Sequence, residues 1–152
     1  MIRFACYPFP IGPITVGYED CAVVSLKINQ DTVAPNDPSP LSDQVATELQ
    51  EYFEGTRTHF TFPLRLDGTD FQKAVWQELL GIPYGQTRTY SQIASAIGRP
   101  GASRAVGIAC GKNPVWIAVP CHRVIGKNNA LTGYAGGLDL KQRLLNLEKS
   151  IK

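Results

Sequence analysis

The sequence predicts an α+β fold: a small antiparallel three-stranded sheet with one covering helix, followed by a mainly helical half that carries a helix-turn-helix. Three observations lead there. Three β-type runs crowd into the first 28 residues, with connections too short for parallel crossovers. From Ser39 onward apolar residues recur at helical spacing, and three helix starts carry N-cap signals. The charge also divides: residues 1–68 hold four Lys/Arg against nine Asp/Glu, a net −5, whereas residues 69–152 hold eleven against four, a net +7. The expected domains are therefore 1–68 and 69–152, and only the second is a candidate polyanion-binding surface.

The first half reads as scaffold. Ile2 to Tyr7 and Ile14 to Tyr18 are short strands joined by a Pro- and Gly-rich turn, and Ala22 to Ile28 is a third. Residues 29–38, rich in Asn, Asp and Pro, form a loop. Ser39-Pro40 supplies an N-cap and a proline at the first helical position, and Leu41, Val45, Leu49, Tyr52 and Phe53 line one face until Gly55 stops the helix. Arg57 to Asp67 reads as a further strand and the bridge between domains.

The second half carries the chemistry. Thr69-Asp70-Phe71-Gln72 has the form of a capping box opening a helix with Phe71, Val75, Leu79 and Leu80 on one face and Trp76 beside it. A second box, Thr89-Tyr90-Ser91-Gln92, opens a short helix through Ile97. The turn Gly98-Arg99-Pro100-Gly101 leads into another helix, from Ala102 to about Cys110. That second helix is built almost wholly of small residues, Ala102, Ser103, Ala105, Gly107 and Ala109, with Arg104 standing among them. Small residues let a backbone approach closely, either for packing or for a narrow groove. The last helix places Leu140, Leu144, Leu147 and Ile151 on one face, and Glu148, one turn after Leu144, points the same way and needs a partner there.

Neither a membrane span nor a secretory signal is expected, since no run approaches ~18 apolar residues. The expectation is an intracellular protein, cytoplasmic or, in a eukaryote, nuclear. Cys6, Cys21, Cys110 and Cys121 form no C-x-x-C pair and read as reduced thiols. With His59 and His122 the only histidines, no metal is expected, and Cys6 and Cys21 read as small buried apolar residues.

The chain is organised around Ile117-Ala118-Val119-Pro120-Cys121-His122-Arg123-Val124-Ile125-Gly126. A thiolate rather than a thiol is the nucleophile, and neighbouring positive charge makes it accessible near neutral pH. His122 offers a base. A Cys-His dipeptide alone favours an inert cysteine in a core strand, because catalytic Cys and His are usually neighbours in space and not in sequence.

Pro120-Cys121-His122-Arg123 with its apolar flanks resembles the active-site signature of the methylated-DNA-protein-cysteine methyltransferases, which repair O6-alkylguanine in DNA. The resemblance runs from about Phe71 to Glu148. It passes through Tyr90-Ser91-Gln92-Ile93-Ala94, Ser103-Arg104-Ala105-Val106-Gly107, Asn113-Pro114 and Gly133-Tyr134-Ala135-Gly136-Gly137, in the family's order. The first 68 residues match more loosely, as the family's variable N-terminal domain does.

The resemblance implies a winged-helix-like second domain whose recognition helix, with Ser103, Ala105 and Gly107, enters the DNA minor groove. It implies that Arg104 fills the gap left by a flipped-out nucleotide and that Arg123 also belongs to the DNA-binding set. Tyr90 would help rotate the nucleotide and serve guanine N3, and Asn113 would tie the recognition helix to the active-site loop. Val124 would offer a carbonyl to the guanine amino group. Tyr134, Ala135 and Gly136 would wall the pocket, with the Ala135 amide facing O6. Glu148 would hold His122, which through a water takes the proton of Cys121. Trp116 would line the alkyl side, narrowing the pocket in favour of methyl over benzyl.

The implied reaction is irreversible, stoichiometric transfer of an alkyl group from O6-alkylguanine, and from O4-alkylthymine, to Cys121, with no cofactor. The partner would be double-stranded DNA, bound by a monomer with little sequence preference and strong salt dependence. A thiol hydrolase would turn over and gives no reason for the helix-turn-helix. A DNA-binding regulator, or the family's non-catalytic branch, has no need of Cys121.

Overall fold

In the computed structural model of the chain, residues 1–30 and 35–150 are described. Part of the expected 29–38 loop, and Ile151, lie outside the described residues. The chain divides into two compact units, residues 1–67 with 114–116, and residues 68–113 with 117–152.

In the first unit β1 (Arg3–Tyr7), β2 (Ile14–Glu19) and β3 (Ala22–Ile28) form an antiparallel sheet in the order β1-β2-β3. Its register pairs Ala5 with Val16 and Val16 with Leu26, so one face presents a continuous apolar row that is buried. Helix α1 (Pro40–Glu54) packs against β2 through Val45, Leu49 and Tyr52. Its start is fixed by a reciprocal capping box between Ser39 and Ser42, a motif that adds on the order of 1 kcal/mol. Gly55, at φ 84°, supplies the left-handed turn that ends it. No helix among the described residues is long and apolar enough to cross a membrane.

Residues 57–67 do not form the expected strand. Only Leu64 bridges the sheet, beside Val23, with Val23 N–H donating to Pro63 O at 2.8 Å and Arg65 N–H donating to Val23 O at 3.0 Å. Pro63 has no N–H to continue a ladder. A buried carboxylate takes the place of strand pairing: Glu48, on α1, accepts from Thr61 N–H at 2.6 Å and from Thr61 Oγ1 at 2.7 Å, with Arg57 3.6 Å away. Burial opposes its charge, but these bonds and one from Gln44 hold its pKa below the ordinary value.

Residues 114–116 also belong to this unit. Leu26 N–H donates to Pro114 O and Trp116 N–H donates to Leu26 O, each at 2.9 Å. This short β-like contact lies 88 residues along the chain from Leu26 and has no local signature.

The second unit is helical. Helices α2 (Asp70–Leu80), α3 (Tyr90–Ala96) and α4 (Ser103–Gly111) pack on one another, and both expected capping boxes form, Thr69 with Gln72 and Thr89 with Gln92. Trp76 is central to this packing: its indole N–H donates to Ala109 O of α4 at 2.9 Å. A minimal parallel ladder joins β4 (Arg88–Thr89) to β5 (Val124–Ile125). It ties the entry of α3 to the segment after Cys121.

The buried stripe of α5 (Leu138–Ser150) differs from the expected one. Leu140, Lys141, Leu144, Leu145 and Glu148 are buried, whereas Leu147 is half-buried. The stripe is rotated because two charged residues, seven apart and so on one helical face, are turned inward.

Candidate active site

Cys121 opens a single 3-10 turn, Cys121–Arg123, entered from Pro120. The approach is strained. Ile117, buried and β-branched, sits at φ 72°, in the left-handed region that such residues rarely adopt. Cys121 N–H donates to Val119 O at 2.8 Å and Arg123 N–H to Pro120 O at 2.9 Å, so the loop is held by its own backbone.

Asn113 lies under the sulfur. Its buried side-chain amide donates to Val119 O at 2.8 Å and to Cys121 Sγ at 3.1 Å. Burial pushes the Cys121 thiol up to about 11, against the opposing effects of the Asn113 hydrogen bond and the Lys141 ammonium. The resting sulfur is therefore a thiol. The cation that eases its ionisation is Lys141 on α5, not Arg123 beside it in sequence.

Arg123 differs from its expected place on the DNA surface. It is buried, and its guanidinium donates from Nε to Glu148 Oε1 at 2.7 Å, from Nη2 to Glu148 Oε2 at 3.0 Å and from Nη1 to Ile82 O at 2.8 Å, over the Tyr84 ring. Glu148 also lies 2.7 Å from His122 Nε2 and accepts from Gly85 N–H at 3.4 Å. Burial opposes the Glu148 charge, but the His122 and Arg123 bonds bring its pKa down to about 2.

His122 is fully buried, and desolvation lowers its pKa despite the carboxylate beside it, whose charge Arg123 already matches. The imidazole is thus neutral at pH 7. An ionised carboxylate only accepts, so Nε2 carries the proton and Nδ1 is an acceptor. Nδ1 is buried and has no hydrogen-bond partner among the described residues.

Cys121 forms part of the wall of a cavity of about 690 Å³. Its wall is formed by Tyr90, by Ser103, Arg104 and Gly107 of α4, and by the loop Thr132-Gly133-Tyr134-Ala135. Ile108, Cys110 and Gly111 complete the α4 wall. Gly107 faces the Tyr90 ring, and a Cβ there would stand 3.7 Å from it, an ordinary contact. Tyr90 Oη accepts from Thr132 Oγ1 at 3.0 Å and donates to Thr132 O at 3.5 Å. Burial raises the Tyr90 pKa, so its hydroxyl stays protonated and able to donate.

Cys121, Tyr90, Ser103, Arg104, Gly107, Tyr134 and Ala135 therefore surround one space, while His122, Glu148 and Asn113 are buried around the cysteine loop. Ala105, Gly136 and Val124 are not among the lining residues, and Val124 is buried in β5. Trp116 is not among them either. It is buried in the first unit, beside Leu26.

Sequence reasoning missed Lys141, Thr132, Ile108 and Cys110. Lys141 Nζ donates to Thr132 O at 2.8 Å and lies 5.8 Å from the centre of the Tyr90 ring, so it braces the cavity loop from behind. Its signal was available: it lies seven residues before Glu148, on the same helical face.

Two family models match the chain. The DNA-binding domain of 6-O-methylguanine DNA methyltransferase matches residues 70–150, and the ribonuclease-like domain of the same family matches residues 2–66. The methylated-DNA-protein-cysteine methyltransferase of Mycobacterium tuberculosis is 48% identical over 156 residues, covering 99% of this chain and 94% of the relative. That of Methanosarcina acetivorans is 45% identical, covering 97% of this chain and 98% of the relative. The crystal structure of the M. tuberculosis O6-methylguanine methyltransferase superposes with a TM-score of 0.90 at 46% identity, covering 100% of this chain and 95% of that one. A crystal structure of the M. tuberculosis protein in complex with DNA superposes equally well, at 0.90, covering 97% and 93%. With both halves matched in order, and with Cys121 and the second helix of a helix-turn-helix lining one cavity, the chain belongs to the 6-O-methylguanine DNA methyltransferase family.

Proposed function

We propose that this chain repairs O6-alkylguanine in double-stranded DNA by moving the alkyl group onto Cys121, once per molecule. One observation carries the reading: the cavity that Cys121 lines is walled by the second helix of the helix-turn-helix, and a neutral, buried histidine follows the cysteine. The target atom of a base inside a duplex is out of reach, so the nucleotide must be extruded into that cavity. Arg104, exposed on α4 at its rim, fills the vacated space in the stack.

The chemistry follows from the proton positions. At a pKa of about 11, only about one Cys121 in 10⁴ is a thiolate at pH 7. The proton therefore leaves as the sulfur attacks, through one water to His122 Nδ1, and Glu148 stabilises the imidazolium through Nε2. The sulfur lone pair forms the S–C bond in line as the C–O6 bond breaks. The electron pair passes into the guanine ring while Tyr90 Oη hydrogen-bonds N3, and the guanine anion takes up from solvent one proton, replaced there by the one the His122 imidazolium releases. The products are a thioether on Cys121 and guanine in DNA, and the step balances without a co-reactant. O4-alkylthymine presents the same alkyl–oxygen bond and is the second substrate of this reading.

Binding should be tolerant of sequence and sensitive to salt, because a lesion and not a base sequence is sought. Four free thiols suit a reducing compartment, the cytoplasm or, in a eukaryote, the nucleus. Titration with excess O6-methylguanine duplex tests the stoichiometry: transfer stops at one methyl per chain, and continued turnover would replace this reading with a hydrolytic one.

A further inference from the structure

Ile108 is a large apolar side chain that is 61% exposed on α4. Isolated exposed apolar residues are ordinary and need no account. This one is placed. It lies four residues after Arg104, so the two share a helical face, and both line the cavity that Cys121 lines. Glycines adjoin it on the helix. Its neighbour Gly107 has no side chain, and Gly111, one turn further, faces open space, with nothing within 4 Å of where its Cβ would stand. A branched aliphatic side chain therefore rises from a helix otherwise built of small residues, one turn beyond the arginine at the cavity rim.

We propose that Ile108 is a second DNA-contacting residue, an apolar wedge that packs into the minor groove one helical turn from Arg104 and supplies a salt-independent share of duplex affinity. The inference rests on the DNA-repair reading above. Its physical basis is that minor-groove proteins use branched aliphatic side chains against sugar edges and base steps. A β-branched residue forms helix less readily than alanine, so position 108 gains nothing locally from isoleucine. Burial against DNA removes apolar area from water without releasing a counterion. The contact therefore lowers Kd without changing its dependence on salt, unlike that of a cation.

The test compares Ile108→Ala, Ile108→Leu and the unaltered protein. It uses anisotropy with a duplex containing O6-methylguanine, on a Cys121→Ser background, from 50 to 300 mM salt. It also uses methyl-transfer rates, on the Cys121 protein, with duplex and with the free nucleobase O6-methylguanine. Ile108→Ala should raise Kd about five- to tenfold at every salt concentration, with the slope of log Kd against log salt unchanged. Ile108→Leu should restore affinity to within about twofold. Because Ile108 also lines the cavity, Ile108→Ala should slow transfer from duplex further than transfer from the free base. Because the side chain is exposed, the melting temperature should hardly move. Unchanged duplex affinity in Ile108→Ala, an altered salt slope, or a free-base rate that falls as far as the duplex rate would each overturn the proposal. If the unaltered protein binds no duplex, the repair reading itself has failed, and the two failures are thereby separated.

Discussion

Arg123 clasps Glu148 side-on, Nε to Oε1 at 2.7 Å and Nη2 to Oε2 at 3.0 Å, with both side chains buried. A buried pair is costly to break from one side, because the remaining charge has no compensation. Arg123→Met should cost about 3–5 kcal/mol of unfolding free energy, read by urea denaturation. Arg123→Lys keeps the charge but loses the fork, and should cost less. In neither should the salt slope of DNA binding change. A slope lowered by about one would return Arg123 to the DNA-contacting residues.

Acid should destabilise the fold in two stages. The folded-state pKa of His122 lies below its ordinary value of 6.5, so the stability it confers is complete above that value and falls as pH drops through and below it. Glu148 is depressed from 4.5 to about 2, so its contribution is complete above 4.5 and is lost between 4.5 and 2. At 1.36 kcal/mol per pKa unit, the second stage is worth about 3 kcal/mol. Urea unfolding followed from pH 7 to pH 2 should show both losses, and Glu148→Gln should remove the lower one. Stability that stays flat between pH 4.5 and 2 would contradict the Glu148 assignment.

Removing Lys141 tests its field on the thiol. Lys141→Met keeps the length of the buried stem and takes away the charge. The pH profile of Cys121 alkylation by iodoacetamide should move to higher pH, and methyl transfer at pH 7 should fall roughly tenfold, as for one charge acting at short range in a poorly solvated site. An unmoved profile with slower transfer would make Lys141 only an anchor for the Thr132 carbonyl.

Asn113→Ala removes the hydrogen bonds to Cys121 Sγ and Val119 O together. Because the first of these lowers the thiol pKa, its loss should push that value above about 11 and slow transfer. Val119 O keeps the Cys121 N–H, so loss of the Asn113 bond to it should cost only about 0.5–1.5 kcal/mol of stability. Asn113→Asp should be slower still, since it places negative charge against the developing thiolate. Equal rates for the two variants would remove the electrostatic role.

Tyr90→Phe should leave the fold intact and lower the transfer rate by about 10²-fold if its hydroxyl serves the departing guanine. A rate within twofold of the unaltered protein would leave Tyr90 as a wall residue.

The helices, their caps and the three strands were legible because each is written locally: Thr69 with Gln72, Thr89 with Gln92, and three β-type runs separated by short turns. The cluster around Glu148 was half legible. Its inward direction follows from helical spacing, but the resemblance implies a DNA role for Arg123, and nothing local shows that its guanidinium turns back to a helix 25 residues away. Lys141 was missed for a related reason: burying an ammonium is costly alone, and the Thr132 carbonyl that makes it tolerable lies in a loop with no periodic pattern. The resemblance implies a pocket position for Trp116, but the structure buries it elsewhere. The strained turn at Ile117 intervenes, and the 114–116 segment pairs with Leu26 instead.

The most direct test of the central claim is the intact mass of the protein after mixing with duplex DNA containing O6-methylguanine, followed by peptide mapping, with Cys121→Ser in parallel. The protein should gain one methyl group, located on Cys121 and absent from the variant. Tight binding of the lesion with no mass gain would contradict it, making the chain a damage-binding protein and placing the fault in the proton path from Cys121 to His122.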